Sequence, residues 1–185
     1  MDLPKAKDLV SCGDSEYLEN LARLLIRAGF GSSGVFVGTI TPEEALSIGK
    51  REGPHAGTRQ VACKNPYCAY HYALGVDKGP QENTRQAACG DPRYAYLYAF
   101  QVDKGPRDDT RRVACGDAAA AFRYACNVDK GPRRDTRQAA CGEPYWAYQY
   151  ALRVDERFHE ETWAAVQGTE WEISYRTEIE GTPGT

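Results

Sequence analysis

The chain has no run that approaches the roughly 18–20 apolar residues of a membrane-spanning helix. Its opening, Met-Asp-Leu-Pro-Lys-Ala-Lys-Asp, lacks the apolar centre of a signal peptide. Charge of one sign is missing too: 23 Lys and Arg face 26 Asp and Glu, a net charge of −3. No basic field therefore draws the chain to nucleic acid or to an anionic membrane. Its three histidines, His55, His71 and His159, are scattered, and His159-Glu160-Glu161 has no second histidine four residues on, as a metalloprotease helix requires. Neither a G-x-S-x-G elbow nor a phosphate-binding P-loop is present. The loop Asp103 to Asp109 has acids, but Lys104 and Arg107 stand among them and the spacing is not that of a calcium loop. These absences lead us to expect no catalytic residues, no metal, no cofactor and no membrane association, in a protein of the cytoplasm.

Seven cysteines remain to be explained, an odd number that suits a reducing compartment. Cys12, Cys68 and Cys126 show no paired metal spacing, whereas Cys63, Cys89, Cys115 and Cys141 are one position repeated. Units of a helical stack are displaced by roughly 10 Å, since packed helices lie about 8–10 Å apart. A disulfide needs α-carbons within about 7 Å, and a zinc tetrahedron needs four sulfurs about 2.3 Å from one point. A ladder meets neither requirement, so these four are expected to be small buried apolar residues.

What the chain does have is one phrase spoken four times between Pro54 and Asp155. Thr58, Thr84, Thr110 and Thr136 mark a period of 26 residues, and such a period signals a stacked array. In the second copy Thr84 is read as the N-cap of a short helix to Cys89, closed by Gly90. Asp91-Pro92 then caps and opens a longer helix to about Asp103, with Gly105-Pro106 expected to end it in a left-handed cap. On that helix Ala95, Tyr98, Ala99 and Val102 fall at i, i+3, i+4 and i+7, an apolar face that all four units spell. A second apolar row, Tyr70/Leu74, Tyr96/Phe100, Phe122/Cys126 and Tyr148/Leu152, lies beside it. A helix this apolar needs neighbours on both sides. Arg59, Arg85, Arg111 and Arg137 recur with Asp77, Asp103, Asp129 and Asp155, read as ion pairs or caps between units, with a row of phosphate-binding arginines as the sharper alternative.

The fold expected is mainly all-α: a right-handed α-solenoid of 26-residue helix–turn–helix repeats with degenerate caps. Residues 1–53 form an N-terminal helical cap, with a helix that starts at Asp14-Ser15 and runs through Tyr17 to Ala28, and another from the capping box Thr41-Pro42-Glu43-Glu44 to about Arg51. The intervening Gly29-Phe-Gly31-Ser-Ser-Gly34 matches a dinucleotide fingerprint in letters only, because it follows a helix and precedes the strand-like Val35-Phe36-Val37. It reads as a connector. Four repeats fill residues 54–157, and 158–185 hold a decayed fifth unit, a strand and a loose tail. The strand is inferred from Trp171, Ile173, Tyr175, Thr177 and Ile179 alternating with polar residues. It is expected to fold over the end of the stack, or to offer its edge to a partner's sheet.

Where the four units differ points to a surface. On the longer helix the changing positions are Tyr67/Arg93/Ala119/Tyr145, His71/Leu97/Arg123/Gln149 and Gly75/Gln101/Asn127/Arg153. They lie at i, i+4 and i+8, opposite the packing face, and aromatic and arginine side chains are common interface anchors. The candidate partner-binding residues are therefore Tyr67, His71, Arg93, Leu97, Gln101, Arg123, Asn127, Tyr145, Gln149 and Arg153.

The phrase Asp-x(6)-Thr-Arg-x-x-Ala-Cys-x-x-Pro, followed by Ala and Tyr-Ala, resembles short HEAT-like repeats and is similar to leucine-rich-variant repeats over residues 54 to 157. Tyr-Ala stands where that family favours leucine, and its N-terminal cysteine cluster is absent. The resemblance implies an α-solenoid and no particular activity. The function expected is a non-enzymatic binding module whose partner is another protein or protein complex. It would be a scaffold or an inhibitor of a host complex, for example a phage-encoded anti-defence, anti-CRISPR-type protein. The alternative is a nucleic-acid reader that takes one base per repeat.

Overall fold

In the computed structural model, which describes residues 40–181, every regular element is a helix. The first, α1 (Pro42–Glu52), starts as its sequence says. The Thr41 hydroxyl accepts from the Glu44 amide, and the Glu44 carboxylate accepts from the Thr41 amide. Short helices α2 (Ala56–Ala62), α4 (Glu82–Ala88), α6 (Asp108–Ala114), α8 (Arg134–Ala140) and α10 (Glu160–Val166) then alternate with longer ones. The longer helices start at α3 (Pro66–Tyr72), α5 (Pro92–Leu97), α7 (Ala118–Tyr124), α9 (Pro144–Tyr150) and α11 (Glu172–Tyr175). Each longer helix packs against the short helix that follows it, and the successive longer helices α1, α3, α5, α7 and α9 pack on one another. The capped starts Asn65-Pro66 and Asp91-Pro92 are present as the sequence predicts. Expectations that fall on residues 1–39, including the helix from Tyr17, the glycine run and Val35–Val37, lie outside the described residues.

The apolar face of the longer helices is the core. Ala95, Tyr98, Ala99 and Val102 are buried, as are their counterparts in the other three units. Gly49 shows how close the backbones come: a Cβ there would sit 2.6 Å from Cε2 of Tyr72, so only glycine lets α1 lie on that ring. The second apolar row divides. Tyr70, Tyr96, Phe122 and Tyr148 are buried, whereas Leu74 and Phe100 are exposed.

Thr84 does not cap its helix. The helix begins at Glu82, and Thr84 is buried within its first turn. There its hydroxyl donates to the Gln81 carbonyl (3.0 Å) and lies 2.8 Å from the Tyr98 hydroxyl. The Tyr98 hydroxyl in turn accepts from the Gln81 amide (3.0 Å). The Tyr98 hydroxyl also lies 3.1 Å from the Gln81 carbonyl, and either hydroxyl can donate in the Thr84–Tyr98 contact, so the Gln81 amide, the Gln81 carbonyl and both hydroxyls close one loop. Every group is satisfied, and the tyrosine on the longer helix ties down the start of its own short helix. Thr58/Tyr72 with His55, Thr110/Tyr124 with Arg107, and Thr136/Tyr150 with Arg133 repeat the arrangement.

The longer helices widen after that tyrosine into π segments, Ala73–Asp77, Tyr98–Asp103, Ala125–Asp129, Ala151–Asp155 and Arg176–Glu180. In an α-helix, residues five apart point about 140° away from each other. An i→i+5 turn stacks them instead. Tyr72 and Asp77, Tyr98 and Asp103, Tyr124 and Asp129, and Tyr150 and Asp155 are five apart. The π turn thus brings each aspartate round to its tyrosine's face, where the recurrent arginine lies.

Arg85 grips Asp103 through Nε (3.0 Å to Oδ2) and Nη2 (2.8 Å to Oδ1), with its Cζ 5.7 Å from the Tyr98 ring centroid. Arg59–Asp77, Arg111–Asp129 and Arg137–Asp155 pair in the same way. These pairs join the two helices of one unit, not neighbouring units. Beyond each aspartate the chain turns through a left-handed residue, and it is not the glycine. Lys78, Lys104, Lys130 and Glu156 take positive φ, and the amides of Lys104 and Gly105 both return to the Ala99 carbonyl. The glycine one residue later accepts no such role because its lysine already stands at the corner.

The C-terminal segment is helical, which corrects the expected strand. Of the alternating set Trp171, Ile173, Tyr175, Thr177 and Ile179, the first, third and fifth also fall at i, i+4 and i+8, and it is Ile173 that the helix leaves 77% exposed. A period of two shares its every second step with a helix, so the alternation did not discriminate. The fifth unit keeps the hydroxyl loop: the Thr162 hydroxyl lies 2.8 Å from that of Tyr175, and the His159 amide donates to Tyr175. It departs elsewhere, for Tyr175 comes 13 residues after Thr162 and not 14, and Gly181 after the π segment is not left-handed. Trp163 follows Thr162 where the other units carry arginine, and its ring packs 5.4 Å from that of Tyr175.

The cysteine ladder is partly exposed, not buried. Cys63, Cys89, Cys115 and Cys141 follow the short helices as free thiols, pushed up to about 11 by burial.

Candidate interaction surface

The changing positions of the longer helices separate into bolts and free ends. Tyr70 donates to Oε1 of Gln101 in the next unit (2.7 Å), and Asn127 Nδ2 donates to the Tyr96 hydroxyl of the unit before (3.0 Å). Leu97 is half-buried and packs into two adjacent cores, and Gln149 is buried. Gln149 and half-buried Leu97 are thus withdrawn from the surface, whereas Gln101 and Asn127 stay exposed while bonded to a neighbouring unit. The two bolts are equivalent, since Tyr70 and Tyr96 hold one place in their units and Gln101 and Asn127 another.

The free ends are Tyr67, Arg93, Arg123, Tyr145 and Arg153. Tyr67 is 44% exposed and meets the His71 ring edge-on at 4.3 Å, while Tyr145 is 39% exposed and leans on Trp146 (4.7 Å) and Trp171 (4.9 Å). Arg123 lies 5.5 Å over Trp146, and Arg93 6.0 Å over Tyr94. Burial, with Lys50 assisting, holds His71 below the ordinary imidazole range, so its ring is neutral at neutral pH.

Sequence reasoning missed the second aromatic row. Tyr94, Trp146 and Trp171 run beside the first and pack across units, Tyr67 edge-on to Tyr94 at 5.8 Å and Tyr148 stacked on Trp171 at 5.5 Å. Its signal was in the sequence, since Cys68, Tyr94, Ala120 and Trp146 also occupy one changing position. Phe100, at 42% exposure, completes the apolar part of the surface.

Between the second and third units lies a groove of about 400 Å³ lined by Arg93, Tyr96, Arg123, Ala119, Asp91 and Asp117 among others. Ala119 makes room for it, standing where Tyr67 and Tyr145 stand in other units. Both carboxylates are engaged with backbone: Asp91 accepts from the amides of Arg93 (2.9 Å) and Tyr94, and Asp117 from that of Ala120 (2.7 Å). A second depression, lined by Pro132, Arg133, Arg134, Asp135 and Gln138, lies on the short-helix side.

Among the described residues no group of three or more histidine, cysteine or acidic side chains is placed to hold a metal ion. Among them, too, no helix is long and apolar enough to cross a membrane. Comparison with protein-family models, with curated proteins and with solved structures finds no match to the chain. What the geometry defines is a helical repeat with an aromatic and cationic ridge.

Proposed function

We propose that the chain is a non-enzymatic binding module that docks another protein along the ridge of its longer helices. One observation carries this reading. Inside the units every recurrent arginine is matched to an aspartate, yet on the ridge Arg93 and Arg123 have no ion-pair partner among the described residues and stand beside exposed Tyr67, Phe100 and Tyr145. Such aromatic and arginine anchors dominate the energetics of protein interfaces. The module works by occupancy, as a scaffold or as a blocker of a larger complex.

The test is affinity capture with the full chain, with the captured protein identified and then measured as a purified partner. Arg123→Glu and Tyr145→Ala are each expected to weaken that purified complex at least tenfold while leaving helical content unchanged. Affinity within twofold of the parent for both variants would place the interface elsewhere.

A further inference from the structure

We infer that the groove between the second and third units receives an acidic side chain of a partner protein, its carboxylate held by Arg93 and Arg123 over Tyr96. The inference rests on the binding-module reading and specifies the chemistry of the partner. Its starting point is that two arginines lining this groove have no ion-pair partner among the described residues.

From Pro92 to Lys130 the longer helices and their turns present Arg93, Lys104, Arg123 and Lys130. The acids of those helices are all committed. Asp103 and Asp129 are buried against Arg85 and Arg111, and Asp117, like Asp91 before α5, is turned onto backbone amides. The short helices carry both signs: Glu82 and Asp108 pair with Arg85 and Arg111, and exposed Arg112 and Arg134 stand on the same helices as Asp108 and Asp135. Asp91 stands only two residues from Arg93, yet no ion pair forms between them.

The two guanidiniums are held by different elements, Arg93 on α5 and Arg123 on α7, and both line the same groove. Each rests on an aromatic ring, which orients a guanidinium without neutralising it. A planar carboxylate matches the fork of a guanidinium in two parallel hydrogen bonds. Half-buried Leu97 and exposed Phe100 offer apolar contact next to it, as a polypeptide segment would use.

A nucleic-acid strand is the less suitable occupant. One-base-per-unit stacking needs a ring at the same place in each unit, and that place reads Tyr67, Arg93, Ala119 and Tyr145.

The experiment uses the full chain and a fluorescent, end-blocked peptide of alternating glutamate and leucine. Its counterpart with lysine for glutamate, and a single-stranded DNA oligonucleotide of equal charge, serve as comparison arms. The glutamate peptide is expected to bind at low salt and to weaken as salt is added. Arg93→Glu with Arg123→Glu should reduce its affinity at least tenfold. Ala119→Tyr, which fills the groove and changes no charge, should do likewise. Absence of binding at low salt, equal binding of the lysine peptide, or affinity within twofold after charge reversal would overturn the inference, as would binding of the oligonucleotide in preference to the peptide. Should capture of a purified partner survive the double reversal but fall with Tyr145→Ala, the acidic-partner inference fails and the binding-module reading stands. Should it survive all of these changes, both fail.

Discussion

Tyr98→Phe removes one oxygen atom from the centre of the second unit, and the surrounding geometry says what that atom is worth. The ring stays, so packing against Ala73, Ala88 and Val102 is kept and no cavity opens. Two polar groups lose their partner. The Gln81 amide, one of the unpaired donors at the start of α4, no longer has an acceptor at 3.0 Å, and the Thr84 hydroxyl loses that of Tyr98. The Gln81 carbonyl loses the Tyr98 hydroxyl at 3.1 Å but keeps the Thr84 hydroxyl as a donor. One orphaned donor at a site where Tyr98 and Thr84 have 0% exposure costs about 1–3 kcal/mol. Thr84→Val should cost a similar amount, and the double variant less than the sum, because either change already breaks the loop. The measurement is the urea midpoint at constant slope, with amide hydrogen exchange at Gln81 as the local readout, since a repeat array need not unfold in one step. If Tyr98→Phe shifts stability by less than about 0.5 kcal/mol and Gln81 keeps its protection, the hydroxyl loop does not hold the short helix and the reasoning fails.

Two further outcomes follow from the same units. The side chains of Arg85 and Asp103 are 7% and 6% exposed, so Arg85→Met alone, which strands a buried carboxylate, is expected to cost about 3–5 kcal/mol, whereas Arg85→Met with Asp103→Leu should recover most of it; a double variant as unstable as the single one would contradict this. At alkaline pH the thiols of Cys63, Cys89, Cys115 and Cys141, raised by burial from 9.0 to about 11, ionise in the unfolded chain before the folded one. Their contribution is therefore complete below about pH 9 and lost as the pH climbs through about 11, and urea midpoints across that window should fall, less so when all four are alanine. A flat profile would refute it. Tyr98, Tyr124 and Tyr150, also raised by burial, extend the loss above pH 10 in both proteins.

How much of this was legible in the sequence depends on which period a residue obeys. The packing face Ala95, Tyr98, Ala99 and Val102 follows 3.6 and was readable at once, as were the starts at Asp91-Pro92 and Thr41-Pro42. The ion pairs were legible from the recurrence of arginine and aspartate, but their place inside a unit was not, because Arg85 and Asp103 are 18 apart and nothing local fixes their meeting. Period 3.6 places Asp103 well away from Tyr98, and hence from the arginine over that ring. Only the widened turn brings them together, and five-residue spacing is a signal that a search for α-helical faces passes over. The same blindness made a strand of Trp171 to Ile179, since Ile173 and Thr177 were weighed as equals of Trp171, Tyr175 and Ile179. An internal standard was at hand. Trp171, Tyr175 and Ile179 repeat the spacing of Trp146, Tyr150 and Val154, and the hydroxyl loop requires a tyrosine after Thr162 as after Thr136. The last unit lacks the arginine but keeps the loop. Within this chain the loop therefore marks the unit, and the ion pair is the dispensable addition, with an aromatic ring at Trp163 taking its place beside Tyr175. The ridge was the least legible part, because variation between units records both bolts and free ends. Gln101 and Arg123 vary alike in sequence, and only the contact of Gln101 with Tyr70 shows that one is spent on the array while the other is left for a partner.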